Sequence, residues 1–175
     1  MSDESLVVRC QLGEREAFAE LVRVWHGTVE RYVRRMLSRA DDDVVQEIWL
    51  AVVRQLPRLR QPGLFAPWLF AIARRAVMNQ LRQSYASPDT GPLDESAAEA
   101  AGDPLPDLLD RELIDGALSA LPPRDREVLI LFYLSDLPLE ACAQICAVPV
   151  GTVKSRLHRA RRLLRAELLR KGYEA

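Results

Sequence analysis

The sequence predicts an all-α protein made of two small helical domains. An N-terminal helical bundle and a C-terminal helix-turn-helix domain are joined by a flexible acidic linker. Three observations carry this reading. Leu, Ala, Val and Arg dominate and aromatics are only 6%, a usage that favours helices. Apolar residues recur at steps of three and four, and no stretch alternates with the period of two that a strand requires. Between the two periodic blocks the pattern stops, from Gln83 to Pro106, where five acids, four prolines and two glycines stand without one base. With 49% hydrophobic residues in 175, there is enough apolar material for a packed core.

In the first block, Phe18, Leu21, Val22, Trp25, Val29, Tyr32, Val33 and Met36 define a long amphipathic helix. Asp41, Asp42 and Asp43 then supply an acidic helix start, which complements the macrodipole, and Val44, Val45, Ile48 and Val52 form its buried stripe. Pro57, Pro62 and Gly63 mark a loop. A third helix follows from about Pro67, with Trp68, Leu69, Ile72, Ala73, Ala76, Val77 and Leu81 inward. Proline in a first turn is well tolerated. Periodicity resumes at Leu108 and runs through Leu109, Leu113, Ile114, Ala117, Leu118 and Leu121. Another helix starts near Pro122 and Pro123, and two more cover roughly 139–146 and 150–170. The expected domains are therefore 3–86 and 107–171, with a linker over 87–106.

The net charge of −1 conceals a pattern. Residues 1–86 carry a net +3, 87–115 a net −8, 116–150 a net −2 and 151–175 a net +6. A phosphate backbone responds to local field rather than to the sum. Two basic ends are thus separated by an acidic middle.

Several classes are excluded. No apolar run approaches the ~20 residues of a membrane span, so no direct membrane insertion is expected. The N-terminus lacks the basic start and apolar stretch of a secretory signal. Cys10, Cys142 and Cys146 are an odd, sparse set that suits a reducing cytoplasm better than a disulfide framework. The two histidines, His26 and His158, lie in separate blocks, and neither a phosphate loop nor a nucleophile elbow is present. No enzymatic activity, no cofactor and no metal are expected.

Residues 139–157 are the most informative. A short helix with Cys142, Ala143 and Cys146 inward is followed by a tight turn pinned by Val148. Small Ala143 permits a close crossing, and Val153 and Leu157 bury the second helix. In a helix-turn-helix the second helix enters the major groove. Its outward face offers Thr152, Lys154, Ser155, His158, Arg159 and Arg162. Short polar residues near the helix start reach base edges, while Lys and Arg bond phosphates or guanine. A basic amphipathic helix alone would equally suit a solvated face or a protein-docking helix; the preceding helix and turn favour DNA. Cys142 and Cys146 lie four apart on one face, but His158 is the sole further ligand type nearby and tetrahedral zinc usually takes four. Buried thiols fit better.

At this point the residues resemble a family. Leu121-Pro122-Pro123-Arg124-Asp125-Arg126-Glu127-Val128-Leu129, followed by residues 150–161, resembles region 4 of bacterial RNA polymerase sigma factors of the extracytoplasmic-function (ECF) group. Residues 43–50 resemble the core-binding helix of region 2. Phe65 with Trp68-Leu69, Ile72-Ala73-Arg74 and Leu81-Arg82 resemble its promoter-melting helix. The likeness covers nearly the whole chain apart from the linker.

The resemblance implies a dissociable initiation subunit that binds core RNA polymerase and directs it to promoter DNA. Asp43, Gln46 and Glu47 form a polar, acidic patch, which the family pairs with the coiled coil of the polymerase's largest subunit. Region 2 in this family opens the −10 element and captures a flipped base; the matching loop here is 59–65 and the wider −10 segment is 59–82. A captured base needs a pocket, and a single strand needs positive charge and stacking surfaces. Arg60 and Gln61 stand in the loop, Phe65 or Trp68 could offer an aromatic face, with Trp68 better suited to the core, and Arg74, Arg75 and Arg82 could track the backbone. Region 4, over 150–162, would read the −35 duplex.

Arg75 stands where Asn is common in the family, Asn79 where Asp is common, and Ala66-Pro67 where a basic residue often precedes the Trp. Ala147 occupies a turn position where Gly is frequent, so a left-handed conformation there would carry a cost. The family also implies an anti-sigma factor as a further partner. The rival readings are a conventional dimeric helix-turn-helix regulator, whose first block would bind a ligand or its own copy, and an adaptor whose basic tail binds an acidic protein.

Overall fold

The structure, a computed structural model, describes residues 2–86 and 105–173. The expected linker lies outside these residues except at its last two positions. Eight α-helices occur among the described residues: α1 (Asp3–Gln11), α2 (Arg15–Leu37), α3 (Asp42–Gln55), α4 (Phe65–Ala86), α5 (Leu105–Ser119), α6 (Pro123–Leu129), α7 (Leu139–Cys146) and α8 (Val150–Arg170). Single 3-10 turns at Leu56–Arg58 and Pro62–Leu64 join α3 to α4, and a π-helical turn at Ile130–Leu134 follows α6.

The periodic stripes fold as expected. Leu21, Val29, Tyr32, Val33 and Met36 of α2 are buried against Ile48 and Val52 of α3 and Leu69, Phe70, Ala73 and Val77 of α4. Asp41 caps α3 by accepting from the Val44 N–H at 3.1 Å, satisfying one of the helix's unpaired donors. Two boundaries differ from expectation. The pattern over 83–86 was too polar to read as helix, yet α4 continues to Ala86; α5 begins at Leu105. Helix α1 was not expected at all. It is short, but Ser2 accepts from the Ser5 N–H at 3.4 Å, Asp3 and Glu4 fill the first turn, and Leu6 and Val7 are buried. Gly13, at φ 91°, closes it: the Glu14 N–H reaches the Arg9 carbonyl and the Gly13 N–H the Cys10 carbonyl.

The C-terminal module packs α6 and α7 across α8, with Val128, Ala141, Cys142, Ile145, Val153, Leu157 and Ala160 inward. Helix α7 ends on a Schellman motif. The Val148 N–H bonds the Ala143 carbonyl at 3.1 Å and the Ala147 N–H the Gln144 carbonyl at 3.2 Å. Ala147 is left-handed, φ 53° and ψ 47°, where the sequence has no glycine to take the strain.

The two modules are in contact. Helix α4 packs on α7, and α2 on α5 and α6. Three consecutive charges of α6 sit at or beside this junction, and all three are buried: Asp125, Arg126 and Glu127. Arg126 caps the end of α2, donating from Nη1 to the Met36 carbonyl at 3.0 Å, the Arg35 carbonyl at 3.2 Å and Ser38 Oγ at 2.9 Å. A cation there satisfies orphan carbonyls and complements the helix dipole. Arg35 Nε meets Asp115 Oδ1 of α5 at 2.8 Å.

Candidate nucleic-acid interface

Helix α8 presents its basic face as the sequence implied. Lys154, Ser155, His158, Arg159 and Arg162 are exposed, and Thr152 is half-buried. The spacing follows from burial of Val153, Leu157 and Ala160, which turns the residues between them outward. Ser155 Oγ donates to the Thr152 carbonyl at 2.9 Å, within its own helix. Arg159 differs from the other cations of the face. Its Nε lies 3.1 Å from both carboxylate oxygens of Asp125 and its Nη2 2.7 Å from Oδ1, and these bonds raise the Arg159 pKa from its ordinary value.

The residues expected at the −10 element fall into four places. Arg60 and Gln61 line a cleft of about 380 Å³ with Leu59, Leu64, Pro67, Trp68 and Ala71; its remaining wall is Gln144 and Ile145 of α7. Trp68 is half-buried here, while Phe65 is 1% exposed, in edge-on contact with Trp25. The structure therefore reverses the expected aromatic roles: Phe65 is core and offers no face for stacking, and Trp68 lines the cleft. Arg75 and Asn79 face a small groove between α3 and α4 that also contains Glu47, and Arg82 Nη2 bonds Asn79 Oδ1.

Arg74 stands apart from both. Its Nε donates to Glu127 Oε1 at 2.7 Å, and Tyr32 Oη donates to the same oxygen at 3.4 Å. Glu127 is wholly buried. Burial lifts its carboxyl above the ordinary carboxylate range, and the Arg74 charge only partly opposes this. The same setting pushes the Cys146 thiol up to about 12, chiefly by burial and then by the Glu127 charge.

Asp43, Gln46 and Glu47 are exposed on one face of α3, as expected. The structure adds Leu50 and Val53, about half exposed on the same stripe, so the patch is acidic at one end and apolar at the other. The signal was present at steps of three and four from Asp43, but an apolar side chain does not announce itself as part of a polar patch. Cys142 and Cys146 are buried, and among the described residues no cluster of three or more metal-ligating side chains occurs. The Cys142 thiol donates to the Leu137 carbonyl at 3.7 Å.

Two family profiles match in order along the chain: Sigma-70 region 2 over residues 21–86 and Sigma-70 region 4 over residues 111–164. The ECF RNA polymerase sigma-E factor of Escherichia coli K12 is 32% identical over 174 residues, which cover 92% of this chain and 91% of that protein. The chain belongs to the ECF sigma-factor family. The probable RNA polymerase sigma factor RfaY of Xanthomonas campestris is 30% identical over 91% of this chain, which spans 42% of that longer protein. Among solved structures, the sigma factor RpoE of Bartonella quintana, in complex with the anti-sigma factor NepR, superposes with a TM-score of 0.73. Identity is 26%, covering 87% of this chain and 96% of that one. CnrH, in complex with the cytosolic domain of CnrY, has the same fold, with a TM-score of 0.72 at 24% identity over 95% of this chain and 96% of that one. The sigma factor is thus a transcription initiation factor and not an enzyme, and a dimeric helix-turn-helix regulator is not favoured: the first block is region 2. No helix among the described residues is long and apolar enough to cross a membrane.

Proposed function

We propose that this sigma factor acts in the cytoplasm, joins core RNA polymerase through the α3 stripe of Asp43, Gln46 and Glu47, and directs it to promoters through two DNA-binding surfaces. Region 4 reads the −35 duplex with Thr152, Lys154, Ser155, His158, Arg159 and Arg162. Region 2 opens and holds the −10 element with Arg60 and Gln61 at the cleft and Arg74, Arg75, Asn79 and Arg82 along α4. The observation that carries the reading is the exposed basic face of α8, set on the second helix of a helix-turn-helix and matched to region 4. RpoE of Bartonella quintana is bound to an anti-sigma factor in its solved complex, and the same class of partner is proposed for this chain.

The closed arrangement sets a condition on that function. Arg74 is drawn into the junction by its Nε bond to Glu127, with only 28% of its side chain exposed, and α7 walls one side of the cleft that holds Arg60 and Gln61. Promoter opening therefore requires the two modules to part. Each surface is weak by itself; polymerase, by fixing both at the promoter spacing, raises their effective concentration for DNA. Run-off transcription tests the reading. Core polymerase with this protein, over a panel of promoters from its own genome, yields promoter-specific transcripts that core alone does not. Their absence overturns it.

A further inference from the structure

We propose that Asp125 is a positioning residue for −35 recognition, holding the guanidinium of Arg159 by one edge so that its other edge meets a guanine in the major groove. The proposal rests on the reading of α8 as the −35 reader. Asp125 is 1% exposed, yet the Arg159 side chain it holds is 54% exposed. All three bonds between them use the Nε–Nη2 edge of the guanidinium. The terminal edge, with both hydrogens of Nη1 and the second of Nη2, takes no part in the pairing. That edge is the one that bonds guanine O6 and N7 end-on.

The neighbours sharpen the assignment. Lys154, His158 and Arg162 share the face of Arg159 and have no hydrogen bond or ion pair among the described residues. Unanchored donors suit phosphates, which accept from many directions. A base edge accepts from one direction, and an arginine whose rotamer is already fixed loses less freedom on reaching it. The carboxylate also has an effect of opposite sign. A negative charge beside the groove opposes binding to any phosphate backbone, so Asp125 favours sequence discrimination at the expense of general affinity.

Holoenzyme assembled from core polymerase with wild-type protein, Asp125→Asn, Arg159→Ala and the double variant tests this. Competition binding is measured on promoter fragments changed at each −35 base pair in turn, and on promoter-free DNA, together with the thermal midpoint of each free variant. Arg159→Ala should lose discrimination at one base pair. Asp125→Asn should lose about tenfold at that same base pair and leave the others unchanged, while holding or raising affinity for promoter-free DNA. The double variant should match Arg159→Ala there, and Asp125→Glu, which keeps the charge, should recover part of the loss. Full discrimination in Asp125→Asn overturns the proposal, as does an equal loss on all DNA with a lowered midpoint, which marks a merely structural pair. If Arg159→Ala itself discriminates normally, Arg159 is not the reader and the proposal falls with that assignment. Promoter-specific binding by the wild-type holoenzyme separates this from failure of the sigma-factor reading.

Discussion

Replacing Arg74 with methionine should weaken the packed state by an amount that pH sets. Methionine keeps most of the aliphatic stem and removes the charge. Glu127, wholly buried, is then left with two neutral donors, Tyr32 Oη at 3.4 Å and the Cys146 thiol. A carboxylate stripped of its cation escapes by taking up a proton. From an ordinary value of 4.5, that uptake at pH 7 costs roughly 3 kcal/mol, at 1.36 kcal/mol per unit. This is a ceiling, because the buried group adopts whichever form is less unfavourable. At pH 7, where the carboxylate form counts, loss of a charge-assisted hydrogen bond sets a floor near 1.5 kcal/mol, so about 2–3 kcal/mol is expected there. At pH 5.5 the ceiling falls to about 1.4 kcal/mol. The wild type slopes the same way. Its Glu127 is held above the unfolded value, so the group's contribution is fully present below about 4.5 and is lost as pH rises through the raised value. Urea denaturation at both pH values measures the difference. A penalty that does not shrink at pH 5.5, or an Arg74→Met/Glu127→Gln pair no more stable than Arg74→Met at pH 7, refutes the reasoning.

Ala147→Gly should stabilise region 4 by about 0.5–1 kcal/mol, since glycine removes the left-handed strain at φ 53° and gives back some of the gain through a freer unfolded chain; denaturant midpoints check it. Asp43→Ala and Gln46→Ala should reduce the yield of holoenzyme in co-elution with core polymerase and leave thermal stability within about 0.5 kcal/mol, because both side chains are exposed. Burial pushes the Cys142 thiol up to about 11 and that of Cys146 to about 12, so neither holds appreciable thiolate near neutrality. An alkylating reagent should therefore modify part-exposed Cys10 in the native protein and the other two only after denaturant is added, as read by mass spectrometry.

Helices were legible wherever one face alone is apolar. Burial of Val153 and Leu157 followed from their spacing, and with it the outward face of α8. Helix α1 was missed because nine residues give too few turns for a period to emerge; its signals were the Ser2 cap and Gly13 just past its end. The reversal of Phe65 and Trp68 has another cause. Both are aromatic and both lie in the first turn of α4, where spacing favours Trp68 for the core but says nothing of which ring its neighbours have room for. Packing of Trp25 and Phe70 fills the inner position with Phe65. The charges of α6 were the least legible. Asp125, Arg126 and Glu127 are types that almost always face water, and three in succession read as a solvated helix start. Their partners on α8, α2 and α4 lie 34 to 95 residues away in sequence, and no local pattern announces such pairs.

Two of those charges, Arg126 and Glu127, tie α6 across the junction to α2 and α4, and they constrain how tight the junction can be. Packing too strong would keep Arg74 from DNA even on polymerase; packing too weak would leave the −10 cleft open in the free protein. Each 1.4 kcal/mol by which the closed form exceeds the open one lowers apparent affinity for DNA tenfold. Polymerase shifts this balance only by binding the open form more tightly, since equal affinity for both forms shifts nothing. A raised Glu127 pKa keeps the junction modest near neutral pH, because the charged carboxylate is buried at some penalty even with Arg74 beside it. An apolar residue at position 127 would remove that penalty along with the ion pair. The buried charge thus favours a junction that holds in the free protein and yields to a large partner.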